Sequence, residues 1–428
     1  MSRKTKKHAR GIGRMAEPII CDPTLYQWLF FLRWHSRDSE EHLIKHADAF
    51  RAVLQAAQDW VGAKSELPAL PTSAPYSPQV SERLATQPWR ERDGTLRELE
   101  ARTLLDAFYI QLGQARQGKT TAAAFRNLVR WTHPELSSES SQHAYIGEAL
   151  CLCAQVDEDL SEDLLTELAV EIVRQGLGHF NEPRRLEGIL LSCGFFVKVP
   201  DTEREVLLLL YPAPATRKAS HFVHFILPQL FLSRLKMRVI RNRYYHHLLP
   251  QAQKQEQELD ALLKQAAQPR FHLEALEQLS VDISRKQANF VETLSELEEQ
   301  LETMKVNLHN VTLLMDDEIW GEERQRVQQL LTADMALFTE QIETDLRYLR
   351  ITQQQADLAL QTLLTVAGVR GTQWERRITL FLGVFAVMTI AQVFPELAWW
   401  WRLVLIGLGC IAVGLGYWWL RRRQSKCV

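Results

Sequence analysis

Apolar residues in the third quarter of the chain recur at Phe290, Leu294, Leu297, Leu301, Met304, Leu308, Val311 and Met315, in alternating steps of four and three. That spacing is a heptad seam: it lays one apolar stripe along a helix and keeps it turned toward a partner helix. A second seam repeats at sevens through Met335, Ile342, Leu349, Ala356 and Leu363, with Leu346 and Leu360 beside it. Pro269 ends an earlier helix that begins near Leu248, and Asp316-Asp317-Glu318 with Gly321 marks a turn between the seams. Residues 231–370 are therefore expected to form a coiled-coil stalk of two or three long helices, packed on one another or on copies of the chain.

Two more continuous apolar runs follow. Residues 378–394 are 17 positions without a charge, and residues 403–420 are 18 more. A bilayer core takes roughly 20 apolar residues as a helix, a length both runs reach once their tryptophan flanks are included. Trp399, Trp400 and Trp401 stand at one end and Tyr417, Trp418 and Trp419 at the other, as an interfacial belt would. Arg376, Arg377, Arg421, Arg422, Arg423 and Lys426 lie outside the pair, while the loop between holds only Arg402 and Glu396. This pattern predicts a two-helix transmembrane hairpin over 371–428, in an inner or plasma membrane, with both termini cytoplasmic. A buried hairpin is the alternative. Gly407, Gly409, Gly414 and Gly416 suit close helix packing. Thr389 and Gln392 share a helical face, so they line a pore or make an interhelical hydrogen bond.

Upstream, residues 17–230 read as an α+β or α/β cytoplasmic domain. Helices are expected over 38–62, 95–112 and 161–175, and a Pro- and Ser-rich loop over 67–78. Strands over 188–199 and 205–211 would form a hairpin. Residues 221–231 and 234–247 read as the exit into the stalk, with a membrane-surface helix as the alternative.

Charge changes this picture at one place. The net charge is -2, but residues 1–16 carry Arg3, Lys4, Lys6, Lys7, Arg10 and Arg14 and no acid. They are expected to be a disordered basic tail. The six cysteines are scattered, which suits reduced thiols, and Cys151 and Cys153 lack a second pair at zinc spacing.

One stretch matches a phosphate-cradling loop. Gly113, Gly118, Lys119 and Thr120 fit G-x-x-x-x-G-K-T, which makes them candidate nucleotide-binding residues. Such a loop needs a buried strand before it and a helix after it. Residues 98–112 instead read as an amphipathic helix, with a helix again over 121–131, so a helix–loop–helix competes with the nucleotide site. Asp157-Glu158-Asp159 and Asp316-Asp317-Glu318 are either divalent-cation sites or solvated turns. His221, His224, His246 and His247 read as surface or boundary histidines. With no catalytic constellation in view, the chain is not expected to be an enzyme.

The order of parts resembles the CorA-type magnesium/cobalt transporter superfamily. The resemblance is carried by Pro395-Glu396-Leu397-Ala398-Trp399, the apolar run after it and Arg421-Arg422-Arg423, roughly the last 60 residues. The family's Gly-Met-Asn motif is missing, because Thr389-Ile390-Ala391-Gln392-Val393-Phe394 runs directly into Pro395. The resemblance implies a homo-oligomer, with a pentamer expected, set in a lipid bilayer. It would be an ion channel lined by Thr389 and Gln392, with Glu396 at the outer mouth. The cytoplasmic domain would gate it on binding a divalent metal ion, a nucleotide second messenger or a partner protein, in a setting such as bacterial antiviral defence. No specific nucleic-acid binding is expected. A divalent metal transporter and a membrane-anchored coiled-coil scaffold are the alternatives.

Overall fold

The computed structural model describes residues 19–32, 40–62, 83–92, 94–128, 130–131, 144–177, 186, 188–200, 204–266, 273–370 and 411. The chain divides into two compact units, one of Met1–Asn242 with Leu301–Glu340 and one of Arg243–Gln300 with Gln341–Val428.

The first unit is built on a nine-stranded mixed sheet. In chain order its elements are β1 (Ile20–Leu32), α1 (Glu40–Val61), β2 (Arg83–Arg92), β3 (Thr95–Leu104), β4 (Ala107–Ala115), β5 (Lys119–Thr120), β6 (Tyr145–Val156), α2 (Glu162–Leu177), β7 (Gly188–Leu191), β8 (Gly194–Val199) and β9 (Glu205–Pro212). The strands lie in the order β2-β3-β4-β1-β6-β9-β8-β7, with β5 added alongside β1. Every pairing is antiparallel except β6 with β9. Alternation along the strands sorts side chains onto two faces. On one face Leu29, Phe31, Leu99, Phe108, Ile110 and Leu112 pack with Phe50, Val53 and Leu54 of α1. Further along that face Leu150, Leu152, Val197, Val206, Leu208 and Leu210 pack with Leu168, Ile172 and Val173 of α2.

The opposite face is covered by a helical run that changes pitch twice. Its part in the first unit is α3 (Thr216–His221), a π-turn (Phe222–Ile226) and α4 (Leu227–Arg243) as far as Asn242; a second π-turn (Tyr244–Leu248) and α5 (Leu249–Ala266) follow in the second unit. In each π-turn a leucine N–H reaches five residues back, Leu227 to the Phe222 carbonyl and Leu249 to the Tyr244 carbonyl. A proline follows each of these leucines, Pro228 and Pro250. Proline lacks an N–H, and its ring crowds the carbonyl four residues back, here that of His224 or His246. Widening the preceding turn relieves the crowding, so both π-turns have a cause written in the sequence.

Within the first unit this run is tied down by ion pairs. Arg234 of α4 is buried and donates from Nε to Glu205 of β9 at 2.8 Å and from Nη2 to Asp334 at 3.2 Å, and from Nη1 to the Leu331 carbonyl. Arg238 reaches the other Glu205 oxygen at 2.7 Å. Burial works against ionisation of Asp334, but the Arg234 and Lys198 charges outweigh it and hold the carboxyl below its ordinary value. Asp334 belongs to α7 (Arg324–Arg370), which follows α6 (Leu273–Leu314) and a 3-10 turn (Glu318–Glu323). That turn seats Trp320 against Phe196 and Phe222, with ring centroids 6.4 and 5.3 Å away.

The second unit holds all of α5, α6 up to Gln300 and α7 from Gln341. Its apolar seam includes Leu259, Ile283, Phe290, Leu294, Ile342, Leu346, Leu349 and Ala356, all buried within one chain. Polar bonds lock the register: Gln251 to Thr293 at 3.1 Å, Thr352 to Glu256 at 2.8 Å, Tyr244 to Asp345 and Gln287 to Asp357.

Four expectations are corrected. Residues 95–112 are not a helix but β3 and β4, whose register runs Leu96 to Ala115 through Leu104 to Ala107. Alternate residues of β3 enter the α1 core, and the charged ones between them had looked like a polar helix face. Residues 188–199 are not one strand but the β7–β8 hairpin, turning at Ser192 and Cys193. The helix expected after Thr120 is a six-residue 3-10 turn, Ala122–Asn127. Finally, among the described residues no helix is long and apolar enough to cross a membrane. The transmembrane hairpin in the expected fold class, and with it the multi-pass placement in an inner or plasma membrane with cytoplasmic termini, is therefore not found. The long helices that are described, α6 and α7, carry charges along their whole length. Residues 378–394 and 403–420 lie outside the described residues, as do the loop expected over 67–78 and the basic tail.

Candidate functional site

Where the first π-turn crosses the sheet, polar side chains from four elements meet on a surface that is otherwise aromatic. Tyr26 and Trp28 come from β1, Glu98 from β3, Gln111 from β4, and His224 from the π-turn itself. Strand register assembles them, since Trp28 is opposite Gln111 and Glu98 is opposite Gly113. The extra residue of the π-turn brings His224 over Gln111, with its ring edge-on to Tyr26 at 5.4 Å.

Gln111 is buried and organises the cluster. Its Oε1 accepts from Trp28 Nε1 at 2.9 Å. Because an indole N–H only donates, this bond fixes which end of the amide is oxygen. The amide nitrogen then lies 2.8 Å from His224 Nδ1. An amide nitrogen only donates, so Nδ1 is the acceptor and the imidazole proton sits on Nε2. The same amide also hydrogen-bonds the Glu98 carboxyl.

The electrostatics favour neutral forms. Burial above all, with the neighbouring Glu100, pushes the Glu98 carboxyl up to about 7, although the Gln111 bond pulls the other way. One Glu98 oxygen, Oε1, is buried with no hydrogen-bond partner among the described residues. Burial pushes His224 below the ordinary imidazole value; Glu100 opposes this and Arg102 adds to it. Burial also raises the Tyr26 hydroxyl well above its ordinary value, helped by Glu98. In water an imidazole takes a proton before a carboxyl does; here the order is reversed, so on acidification Glu98 takes its proton before His224 does. Perturbed groups of this kind are the usual mark of a functional site.

The sequence-derived candidates fall elsewhere, with one exception. Gly113 lies on β4 inside this cluster, where a Cβ would come within 2.5 Å of Glu98 Cγ and 2.8 Å of the Trp89 ring. Gly118 sits in a turn with φ +93°, and its N–H donates to the Asp22 carboxylate at 2.8 Å. Lys119 and Thr120 form β5, paired with Cys21 and Ile20. The segment is thus strand, turn and strand rather than strand, loop and helix. The pore candidates Thr389, Gln392 and Glu396 lie outside the described residues.

Among the described residues no group of three or more His, Cys, Asp or Glu is placed to hold a metal ion. Asp317 instead caps the 3-10 turn, accepting from the Ile319 N–H at 3.0 Å, and faces His221 at 3.3 Å. Cys151 and Cys153 are buried thiols with sulfurs 3.4 Å apart. Burial, reinforced by the contact with Cys153, raises the Cys151 thiol and keeps it protonated and inert.

Reading the sequence missed Tyr26, Trp28, Glu98 and Gln111 and took His224 for a boundary residue. One signal was available: Pro228 inside a helical run points to a distorted turn at His224. The chain matches no family model, no curated protein and no solved structure, so no match identifies a CorA-type family.

Proposed function

We propose that the protein works by self-assembly, with α7 as the helix through which copies join. The observation that carries this reading is an apolar face left uncovered on α7. Tyr348, Ile351 and Leu358 are exposed to 66%, 50% and 62%. They are spaced by three and seven, the a and d rhythm of a helix that meets another helix. The heptad seam read from the sequence is already buried within the chain, so this second stripe is what remains for a partner. A partner with the same rhythm is at hand in a second copy.

Burying the exposed half to two-thirds of each of these side chains contributes about 1 kcal/mol, or ~3 kcal/mol for the three. That corresponds to roughly two decades in the association constant. Mass photometry of the full chain tests the reading against the variant Tyr348→Ser/Ile351→Ser/Leu358→Ser. An oligomer that the triple variant dissolves supports it. A monomeric wild type, or an oligomer unaffected by the triple variant, removes α7 as the joining surface. The CorA resemblance suggests five copies, while the stripe itself needs only two. The proposal assigns no reaction to the chain. Ion conduction and metal transport depend on segments outside the described residues and form no part of it.

A further inference from the structure

We propose that Glu98, Gln111 and His224 act as a proton-operated clasp that holds the helical run over residues 216–242 on the sheet and releases it on acidification. This inference is independent of self-assembly.

The clasp follows from the hydrogen-bond directions. Gln111 can donate to His224 Nδ1 only while that nitrogen is unprotonated. A proton added to Nδ1 sets two donors against each other at 2.8 Å. Turning the Gln111 amide to accept from the imidazolium would point its NH2 at the Trp28 N–H, which now donates to Oε1. Either way one bond of the buried network is lost, and an unmatched buried donor is costly.

The surroundings do not neutralise the new charge. From β3 the groups facing the site are Glu98, Glu100 and Arg102; from β1, Tyr26; from β4, Gln111. Lys218 and His221 precede the site on its own helix. Glu100 is already engaged by Arg102 at 2.6 Å and by Arg83 of β2 at 3.1 Å. Glu98, pushed up to about 7, is neutral by the pH at which His224 takes a proton. The imidazolium would then sit beside Arg102 with no carboxylate of its own.

The release has a direction because the contacts around His224 differ in kind. Phe222 on one side is held by Phe196 and Trp320, and Phe231 on the other packs on Trp28 at 5.2 Å. Phe225 in the same π-turn is half-exposed, with Arg102 5.7 Å above its ring. Phe222, Val223 and Ile226 of the π-turn are buried, so it is the partly exposed side of the turn, at His224 and Phe225, that the clasp fastens.

Hydrogen–deuterium exchange of the full chain across pH ~5 to ~8, corrected for intrinsic rates, reads the clasp directly. In the wild type, protection of amides over 216–226 is expected to fall about tenfold per pH unit once His224 titrates, while α2 keeps its protection. In His224→Gln, which keeps an acceptor for Gln111 and cannot charge, protection should be independent of pH. Wild-type protection that does not change with pH overturns the proposal, and so does an acid loss that persists in His224→Gln. Should that variant not fold, the wild-type profile over 216–226 against α2 decides the matter.

Discussion

Replacing Glu98 by Gln should flatten the dependence of stability on pH. The folded carboxyl titrates at about 7 against an ordinary 4.5, chiefly through burial and then through Glu100. The folded chain therefore binds this proton more tightly than the unfolded chain does. The stability contributed by the protonated group is complete below the unfolded value and is lost as pH rises toward the folded one. At about 1.4 kcal/mol per pH unit, the loss approaches ~3 kcal/mol above neutrality, an upper bound for a group that is not wholly buried. Glutamine keeps the shape and a polar contact for Gln111 but has no proton to lose. His224 titrates with the opposite sign in both proteins, so its effect cancels in the difference. Urea denaturation followed by tryptophan fluorescence at pH ~5 and ~8 makes the comparison. The gap between wild type and variant should change by ~2–3 kcal/mol across that window. A gap constant to within about 0.5 kcal/mol would refute the reasoning, because it would mean that Glu98 is ionised in the folded chain at neutral pH.

Two further predictions concern the packing around the cluster. Gly113→Ala places a methyl against Glu98 and Trp89 and should cost about 1–3 kcal/mol by denaturation; the penalty should shrink when Glu98→Ala is added, and an unchanged penalty would locate the clash elsewhere. Arg234→Met removes the buried partner of Glu205 and Asp334 and should destabilise the first unit by ~3 kcal/mol; a loss under about 1 kcal/mol would mean that Arg238 alone satisfies Glu205.

The sequence by itself determined the helical part of this protein. Heptad spacing predicted long helices with a turn near Asp316 to Gly321, and the structure has α6, a 3-10 turn and α7 there. Helices over 40–61 and 162–177 were legible for the same reason, since a helix buries a stripe that its own neighbours spell out. The β8–β9 pair was also legible, as an apolar run, a turn and another run. The sheet as a whole was not. The pairing of β1 with both β4 and β6 joins residues far apart in the chain, and nothing local to β3 distinguishes its alternating charges from a polar helix face. The site was hidden for a stronger form of that reason. Tyr26, Glu98, Gln111 and His224 make no motif, and only strand register and the turn before Pro228 bring them together. The shifted proton affinities of Glu98 and His224 belong to the fold alone, because burial, which sets them, is absent until the sheet and its covering helix have met.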